Sequence, residues 1–306
     1  MTRAIVVAFH KYTPFGSEFY EPILSFFLNQ IQKYKDEYDT IYIVDSTWGI
    51  SPASHNLPDN VVVIKVDPSL RYYDAYKKAL LMIKEDLVLF VDNDMVVYKP
   101  FVIADTFAYL RTTDPNKWTA YDVVSIYDTI GTYKTDKLNG KNKFCPYWFA
   151  AKKETLMKYL DVDWSPDMPY CETLGHLTEA MLNDGLRPYE FEEDKSNCLF
   201  NGTQDGEKSK DLGYYHIRAG STPAYLLATK KYGDRKTYDD YLKNQPQGEY
   251  LRQFAWYHYM IEQSHHQWKD MQQGHAAILE VMNDMNIESK SWFDYVDRFR
   301  EYHGLT

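Results

Sequence analysis

The fold of this chain is decided by the stretch Leu87-Val88-Leu89-Phe90-Val91-Asp92-Asn93-Asp94-Met95-Val96-Val97. It opens with five apolar residues and contains no Gly or Pro, which is typical of a strand buried on both faces. Asp is a poor strand former, so Asp92 and Asp94 indicate the open carboxyl end of that strand. Ligands of open α/β sheets bind at this end. Two carboxylates with one residue between them can share a hard divalent cation such as Mg²⁺ or Mn²⁺.

The Asp-any-Asp tripeptide is common by itself, and the chain has a second copy, Asp161-Val162-Asp163. That copy follows a helix-like stretch, residues 154–160, rather than a strand, and we interpret it as a solvated turn. A plain polar strand end is the alternative explanation for Asp92 and Asp94. The buried strand in front of them favours metal binding.

Length and charge describe an ordinary soluble globular protein. The 306 residues correspond to one large α/β domain or a domain and a half, at roughly 150 residues per domain. A hydrophobic content of 44% and a charged content of 25% predict a chain with a real core. The net charge of −10 disfavours nonspecific attraction to nucleic acid and to anionic membranes.

The cysteines and the apolar runs predict a cytoplasmic protein. Cys145, Cys171 and Cys198 are odd in number and lack the spacing of a metal knuckle, which favours free thiols in a reducing compartment. The apolar run at the N-terminus is too short for a secretory signal. No window reaches the roughly 18 apolar residues of a membrane span.

Strands and helices alternate along the first part of the chain, which predicts a largely parallel sheet with helices on its faces. Right-handed crossovers then bring the carboxyl ends of the strands to one edge. Phe9-His10, Asp45-Ser46 and Asp92-Asn93-Asp94 should therefore line one crevice. The expected strands are 4–9, 40–44, 61–66 and 87–91, and the expected helices lie within 18–34 and 71–86.

The second half is richer in aromatic residues and ends in a helical region. A charged run near residue 235 predicts an exposed boundary, so we expect a domain over residues 1–235 and a helical segment over 236–306. Thr173 is the expected N-cap and Gly185 the expected end of one helix. The expected strands are 121–127, 144–151, 188–191 and a strand or loop within 213–220, and the expected helices are 154–159 and 174–184.

The strand order and the motif Val91-Asp92-Asn93-Asp94-Met95-Val96 resemble a glycosyltransferase of the GT-A fold over roughly Thr2 to Tyr225. The resemblance implies a Rossmann-like, mostly parallel α/β sheet with flanking helices, here with a C-terminal helical extension. It also implies that Mn²⁺ (or Mg²⁺) bound at the motif holds the diphosphate of a nucleotide-sugar. Asp94 would be the main metal ligand, and Asp92 would contact ribose or reach the metal directly or through water.

A second motif, His216-Ile217-Arg218-Ala219-Gly220-Ser221-Thr222-Pro223-Ala224-Tyr225, resembles the His…Gly…Lys-Pro-Trp signature of the glycogenin-like retaining branch. The resemblance implies that His216 is the third metal ligand and that Gly220 lies near the donor. The spacing to Gly is one residue longer than in that signature, Tyr225 is offset from its Trp, and its Lys is absent. In that signature the Lys binds phosphate, and Arg218, whose guanidinium is a charged planar fork, would take over this role.

Glu172 precedes the helix that Gly185 closes and matches, more loosely, the acidic catalytic base of inverting members. The two likenesses imply different stereochemistry, and the sequence leaves both open. In the inverting alternative Glu172 is the general base. In the retaining alternative it contacts the acceptor.

Further donor contacts are expected at the strand ends. Asp45 would accept a hydrogen bond from base or ribose, with a turn-capping Asp as the equal alternative. Arg71 would reach the diphosphate from a helix N-terminus, with a solvated Arg as the alternative. The remaining expected donor contacts are Phe9, His10, Tyr12 and Asn93, with Tyr12 stacking on the nucleobase. Tyr147 and Trp148 face either the acceptor or, as we favour, the core.

Glycosyl transfer from a nucleotide-sugar, with a UDP-sugar as the first choice, is the predicted function. The acceptor would be a glycan, a protein or a modified DNA base, and the C-terminal helices would bind acceptor or form a homodimer face. A sugar-phosphate nucleotidyltransferase is the alternative, although the loop His10–Gly16 has a single Gly. A non-catalytic module that binds nucleotide or carbohydrate is the third possibility.

Overall fold

The computed structural model describes residues 1–9, 24, 27–46, 57–67, 70–93, 95–97, 100–110, 121–128, 143–164, 174–191 and 214–216. The segment 236–306 and the expected boundary near residue 235 lie outside these residues, so the two-part division stays a prediction. In the described part of the chain, no helix has the length and apolar character needed to cross a membrane.

The central feature is a mixed, mostly parallel sheet, as the alternating pattern predicts. Within the described residues it has seven strands in the order β3-β2-β1-β4-β7-β6-β8, and a small second sheet pairs β5 with β9. The strands are β1 (Arg3–Phe9), β2 (Thr40–Asp45), β3 (Val61–Lys65), β4 (Leu87–Val91), β5 (Met95–Val97), β6 (Val123–Asp128), β7 (Lys143–Lys152), β8 (Pro188–Phe191) and β9 (Tyr214–His216). Among the described strands of the main sheet, β7 is the one that runs antiparallel to both of its neighbours.

Helices pack on this sheet and confirm the α/β class. They are α1 (Tyr72–Leu80), α2 (Val102–Tyr109), α3 (Lys153–Met157) and α4 (Gly175–Asn183). The helix expected within 18–34 is described at residues 27–31 and continues as a 3₁₀ helix, Gln32–Glu37. Helix α1 ends before Asp86, and α2 was not anticipated. The N-cap of α4 is Leu174 rather than the expected Thr173.

Strand β4 is buried along its whole length, which explains its unbroken apolar run. Its neighbours are β1 on one side and β7 on the other, and aromatic side chains cover one face. The Phe90 ring lies 4.9 Å from the ring of Tyr76 in α1, 6.0 Å from that of Phe149 in β7 and 6.3 Å from that of Trp164. Strand β4 ends at Val91, where the aspartates predict its end.

The aromatic strand β7 contributes to the core, as favoured from its sequence. Trp148 is fully buried and its Nε1 donates a hydrogen bond to Thr106 Oγ1 at 3.2 Å. Tyr147 is buried as well. Trp148 therefore packs between the sheet and α2, and neither of the two side chains forms an exposed acceptor surface.

Candidate functional site

The strand order changes direction between β1 and β4, which marks a crevice in this class of sheet. Strands β2 and β3 lie on one side of β1, whereas β4 lies on the other. Ligands of open α/β sheets bind outside the carboxyl ends of strands at such a switch point. Phe9 ends β1, Asp45 ends β2 and is the register partner of Phe9, and Asp92 follows β4. The expected convergence of these strand ends is confirmed.

Two side chains tie the Asp92-Asn93 turn to the fold. The Tyr72 hydroxyl, from the first turn of α1, donates to Asp92 Oδ1 at 3.0 Å. Asn93 Nδ2 donates to the Ala8 carbonyl of β1 at 3.4 Å. Asp92 itself is partly buried. The carboxylate is thus held at the mouth of the crevice, with α1 fixing one of its oxygens.

Burial raises the pKa of Tyr72 well above its usual value, and the negative charge of Asp92 raises it further. The hydroxyl therefore stays protonated and keeps donating to Asp92. A second hydroxyl, Tyr76 Oη, lies 3.2 Å from Tyr72 Oη. Sequence reasoning missed Tyr72, although Tyr72 lies three residues before Ala75 and so continues the apolar stripe of this helix.

Strand pairing brings together two distant segments that the sequence predicts to hold a metal, the Asp-any-Asp segment and the segment that contains His216. Met95, which follows Asp94 in the chain, is the register partner of His216 in the antiparallel pair β5–β9. Directly opposite residues of such a pair have Cα atoms about 4.5–5.5 Å apart. This long-range pairing puts the backbone of His216 beside the Asp-any-Asp segment.

The predicted ligands would suit a divalent cation by their chemistry. Two carboxylates and an imidazole are typical Mn²⁺ ligands, and the carboxylate of Asp92 is held beside the end of β4 by Tyr72. Asp94 and the side chain of His216 lie outside the described residues. Within the described ranges, no group of three or more His, Cys, Asp or Glu side chains is arranged to hold a metal.

Asp45 is fully buried, and its Oδ2 accepts a hydrogen bond from Lys65 Nζ at 3.1 Å. A buried carboxylate needs a charged or polar partner, and Lys65 from the neighbouring strand β3 supplies it. The lysine side chain is 45% exposed, so this pair places a cation at the rim of the crevice. Sequence reasoning missed Lys65 because the pairing joins two strands.

Arg71 binds two carboxylates. Its Nε lies 2.5 Å from Asp74 Oδ2, and its Nη2 lies 2.8 Å from Asp163 Oδ1. Asp163 belongs to the second Asp-any-Asp copy, which is a turn as expected. Arg71 therefore joins the start of α1 to that turn, and a diphosphate contact would require it to exchange partners.

Glu172 lies in a segment, residues 165–173, that is outside the described part of the chain, but both flanks of that segment are described. The Leu174 amide donates to the Trp164 carbonyl at 3.0 Å, so the two flanks meet. Both flanking side chains are buried. The turn before Trp164 is tied to Arg71, next to Tyr72, the residue that holds Asp92. His10, Tyr12, Arg218 and Gly220 also lie outside the described residues.

No known protein-family profile and no curated protein matches this chain. Among solved structures, it is similar to the galactosyltransferase LgtC in complex with donor and acceptor sugar analogs, with 12% identity and a TM-score of 0.42 over 77% of this chain and 94% of that one. It is also similar to glucosyl-3-phosphoglycerate synthase from Mycobacterium tuberculosis in complex with Mn²⁺, UDP and glucosyl-3-phosphoglycerate, with 14% identity and a TM-score of 0.42 over 62% and 68%.

A third similar structure is a nucleotidyl transferase from Methanothermobacter thermautotroptrophicus, with 14% identity and a TM-score of 0.40 over 63% of this chain and 88% of that one. All three TM-scores lie below 0.5. The fold of this chain follows from its own strand pairing.

Proposed function

We propose that this protein transfers a sugar from a nucleoside diphosphate sugar to an acceptor with the help of a divalent cation, Mn²⁺ or Mg²⁺. The observation that supports this best is the register pairing of Met95 with His216 beside the carboxyl end of β4. It joins an Asp-any-Asp segment to a histidine from a distant part of the chain. Asp92, Asp94 and His216 are the proposed ligands.

When bound, the cation would act as a Lewis acid on the leaving diphosphate. The protein's part is to hold its ligands and the donor. Asp92, fixed by Tyr72, would serve the ribose side of the metal. The further residues proposed to contact the donor are Phe9, His10, Tyr12, Asp45, Arg71, Asn93, Arg218 and Gly220.

Glu172 keeps two proposed roles. In an inverting enzyme it would remove the proton of the acceptor as general base. In a retaining enzyme it would contact the acceptor.

A UDP-sugar is the proposed donor, and a glycan, a protein or a modified DNA base is the proposed acceptor. Residues 1–235 would form the transferase domain. The helical segment 236–306 would bind acceptor or form a homodimer interface. The second candidate function is nucleotidyl transfer to a sugar phosphate, which the exposed Lys65 cation at the crevice rim favours. A non-catalytic binding module is the third.

A panel of nucleotide-sugars incubated with Mn²⁺ tests these candidates. A transferase should release nucleoside diphosphate slowly even without acceptor, a nucleotidyltransferase should make nucleotide-sugar from nucleoside triphosphate and sugar phosphate, and a binding module should do neither. We expect the first outcome. Release at the full rate after EDTA treatment would contradict the metal-dependent mechanism.

The Asp94→Asn variant keeps the shape of the side chain but removes a ligand charge, so we expect loss of nearly all metal-dependent release with the fold intact. The matched control is Asp161→Asn, which makes the same change in the exposed turn of the second copy. It should keep the parent rate. Circular dichroism of both variants checks the fold. Equal rates in the two variants would contradict the role of Asp94 as a metal ligand.

A further inference from the structure

Gln30 is a buried polar side chain that contacts neither Asp92 nor the other described residues of the crevice. It lies in the helical turn before the 3₁₀ helix and has an exposed fraction of 0%. Its Nε2 donates to the carbonyl of Met95, and its Oε1 accepts from the amide of Val97 at 2.7 Å. A buried amide needs such partners, and both of these belong to β5.

The two bonds reproduce the pattern of a neighbouring strand. In a parallel pair of strands, a residue donates its N–H to the carbonyl of the residue before its opposite partner. Its own carbonyl accepts from the N–H of the residue after that partner. Gln30 makes this pair of bonds on either side of Val96, using its side-chain amide in place of a peptide group. The amide orientation is fixed by chemistry, because the Val97 N–H can only donate and the Met95 carbonyl can only accept.

Alternate residues of a strand point their backbone groups to opposite edges. The Met95 carbonyl and the Val97 amide point to Gln30 at one edge of β5, and β9 pairs with the opposite edge of β5. A short two-stranded ribbon is at best marginal by itself. Gln30 thus supplies the third member of the small sheet, and it does so at the residue that follows Asp94.

We propose that Gln30 is a positioning residue for the metal site, because it fixes the backbone that joins Asp94 to the strand carrying His216. It acts through β5 and not by touching the cation or the donor. This inference rests on the proposed function. Residues that orient metal ligands from outside typically change metal affinity by roughly 10–100-fold when they are replaced.

The test compares Gln30→Met, which keeps the volume and loses both bonds, with Thr178→Val as a matched control. Thr178 is also fully buried, accepts from the Phe144 amide at 3.0 Å and donates to the Leu174 carbonyl at 2.8 Å. Both variants should lose stability. The readout is the dissociation constant of UDP titrated by calorimetry with and without Mn²⁺, at a temperature where each variant is folded by circular dichroism.

We expect Gln30→Met to weaken Mn²⁺-dependent UDP binding by about tenfold or more and Thr178→Val to change it by less than about twofold. Gln30→Leu, which also loses both bonds in a buried apolar side chain, should weaken the binding to a similar extent and covers the case in which Gln30→Met does not fold. Parent-like binding in the folded Gln30 variants would overturn this inference alone. A parent protein without any Mn²⁺-dependent binding of nucleotide would overturn the proposed function and the inference with it.

Discussion

At the scale of single residues, the hydrogen bond from Tyr72 to Asp92 is the best-defined polar contact of the crevice. Hydrogen bonds to a charged acceptor are stronger than those between neutral groups. A tyrosine hydroxyl keeps its proton at physiological pH even at its usual pKa of about 10, and burial raises the pKa of Tyr72 well above that value. The contact therefore fixes the Asp92 carboxylate over the pH range in which a transferase would work.

Removing this hydroxyl should weaken the site while sparing the fold. We expect Tyr72→Phe to raise the dissociation constant of Mn²⁺-UDP by roughly threefold to tenfold, the size of the net contribution of one typical hydrogen bond. The control is Tyr76→Phe, which removes a buried hydroxyl one step further from Asp92. Calorimetric titration of both variants measures the difference, and an equal effect of the two would show that Asp92 does not depend on Tyr72.

Local patterns in the sequence identified the carboxylates of the crevice but not their partners. Asp92 and Asp45 follow buried apolar runs, so their places at strand ends were predictable. Tyr72 and Lys65 reach them from a helix and a neighbouring strand, and such contacts depend on tertiary packing. Arg71 was expected near a phosphate because of its place before a helix, whereas in the fold it binds Asp74 and Asp163.

At the scale of elements, two helices begin in an uncommon way. Phe101 precedes α2 with φ of 73°, and Leu174 precedes α4 with φ of 68°. Helices usually start after an extended Ser, Thr, Asp or Asn whose side chain caps an amide. At α2, Glu37 accepts from the amides of Phe101 and Ala104 at 2.6 and 3.0 Å instead, so the capping group is distant in sequence and the local cap rule gives no signal. At α4 the N-cap is the apolar Leu174, which has no side-chain cap, so the rule chose the neighbouring Thr173.

Glycine at these two positions should have opposite effects. The left-handed region costs a residue with a side chain about 1–2 kcal/mol, which glycine avoids at some cost in chain entropy. Phe101 is 65% exposed and Leu174 1% exposed. We expect Phe101→Gly to raise the free energy of unfolding by about 0.5 kcal/mol and Leu174→Gly to lower it by roughly 1–3 kcal/mol, since the buried leucine also loses its packing. Urea denaturation measures both, and the same sign for the two variants would contradict the explanation.

Element types were more predictable than element pairing. The apolar runs of β1, β2 and β4 identify these strands by themselves, and the strand predicted at residues 188–191 coincides with β8. The antiparallel direction of β7 and the pairing of β5 with β9 are set by contacts between distant segments. A chemical argument about the metal predicts that His216 lies close to Asp94, but no local pattern specifies the pairing of Met95 with His216.

At the scale of the whole molecule, the abundance of tyrosine has a measurable consequence. The chain contains 28 tyrosines, and several of those described are buried. Burial raises the pKa of Tyr38 to about 12, although a hydrogen bond with Asn60 opposes part of the shift. Burial also raises the pKa of Tyr159 to about 12, and its hydrogen bond to Asp184 at 2.8 Å adds to the effect.

These shifts predict how stability changes in alkali. In the unfolded chain both tyrosines ionise near their usual pKa of about 10, whereas in the folded chain they keep their protons until about pH 12. Above about pH 10 the unfolded state therefore binds fewer protons, and the free energy of unfolding must fall as pH rises. The contribution of each tyrosine is fully present below about pH 10 and is lost by about pH 12, at up to about 1.4 kcal/mol per pH unit.

Because lysines also lose protons in this range, the comparison of the parent with Tyr159→Phe isolates one tyrosine. The variant loses its bond to Asp184 and should be less stable than the parent below about pH 10, where Tyr159 is protonated in both states of the chain. Between about pH 10 and pH 12 the free energy of unfolding of the variant should fall less steeply with pH than that of the parent. The difference between the two slopes is the contribution of one titrating tyrosine. Urea titrations at several pH values, followed by circular dichroism and by the ultraviolet absorbance of tyrosinate, measure both slopes. Parallel slopes in parent and variant would mean that Tyr159 ionises alike in the folded and unfolded chains, and that its burial does not hold its proton.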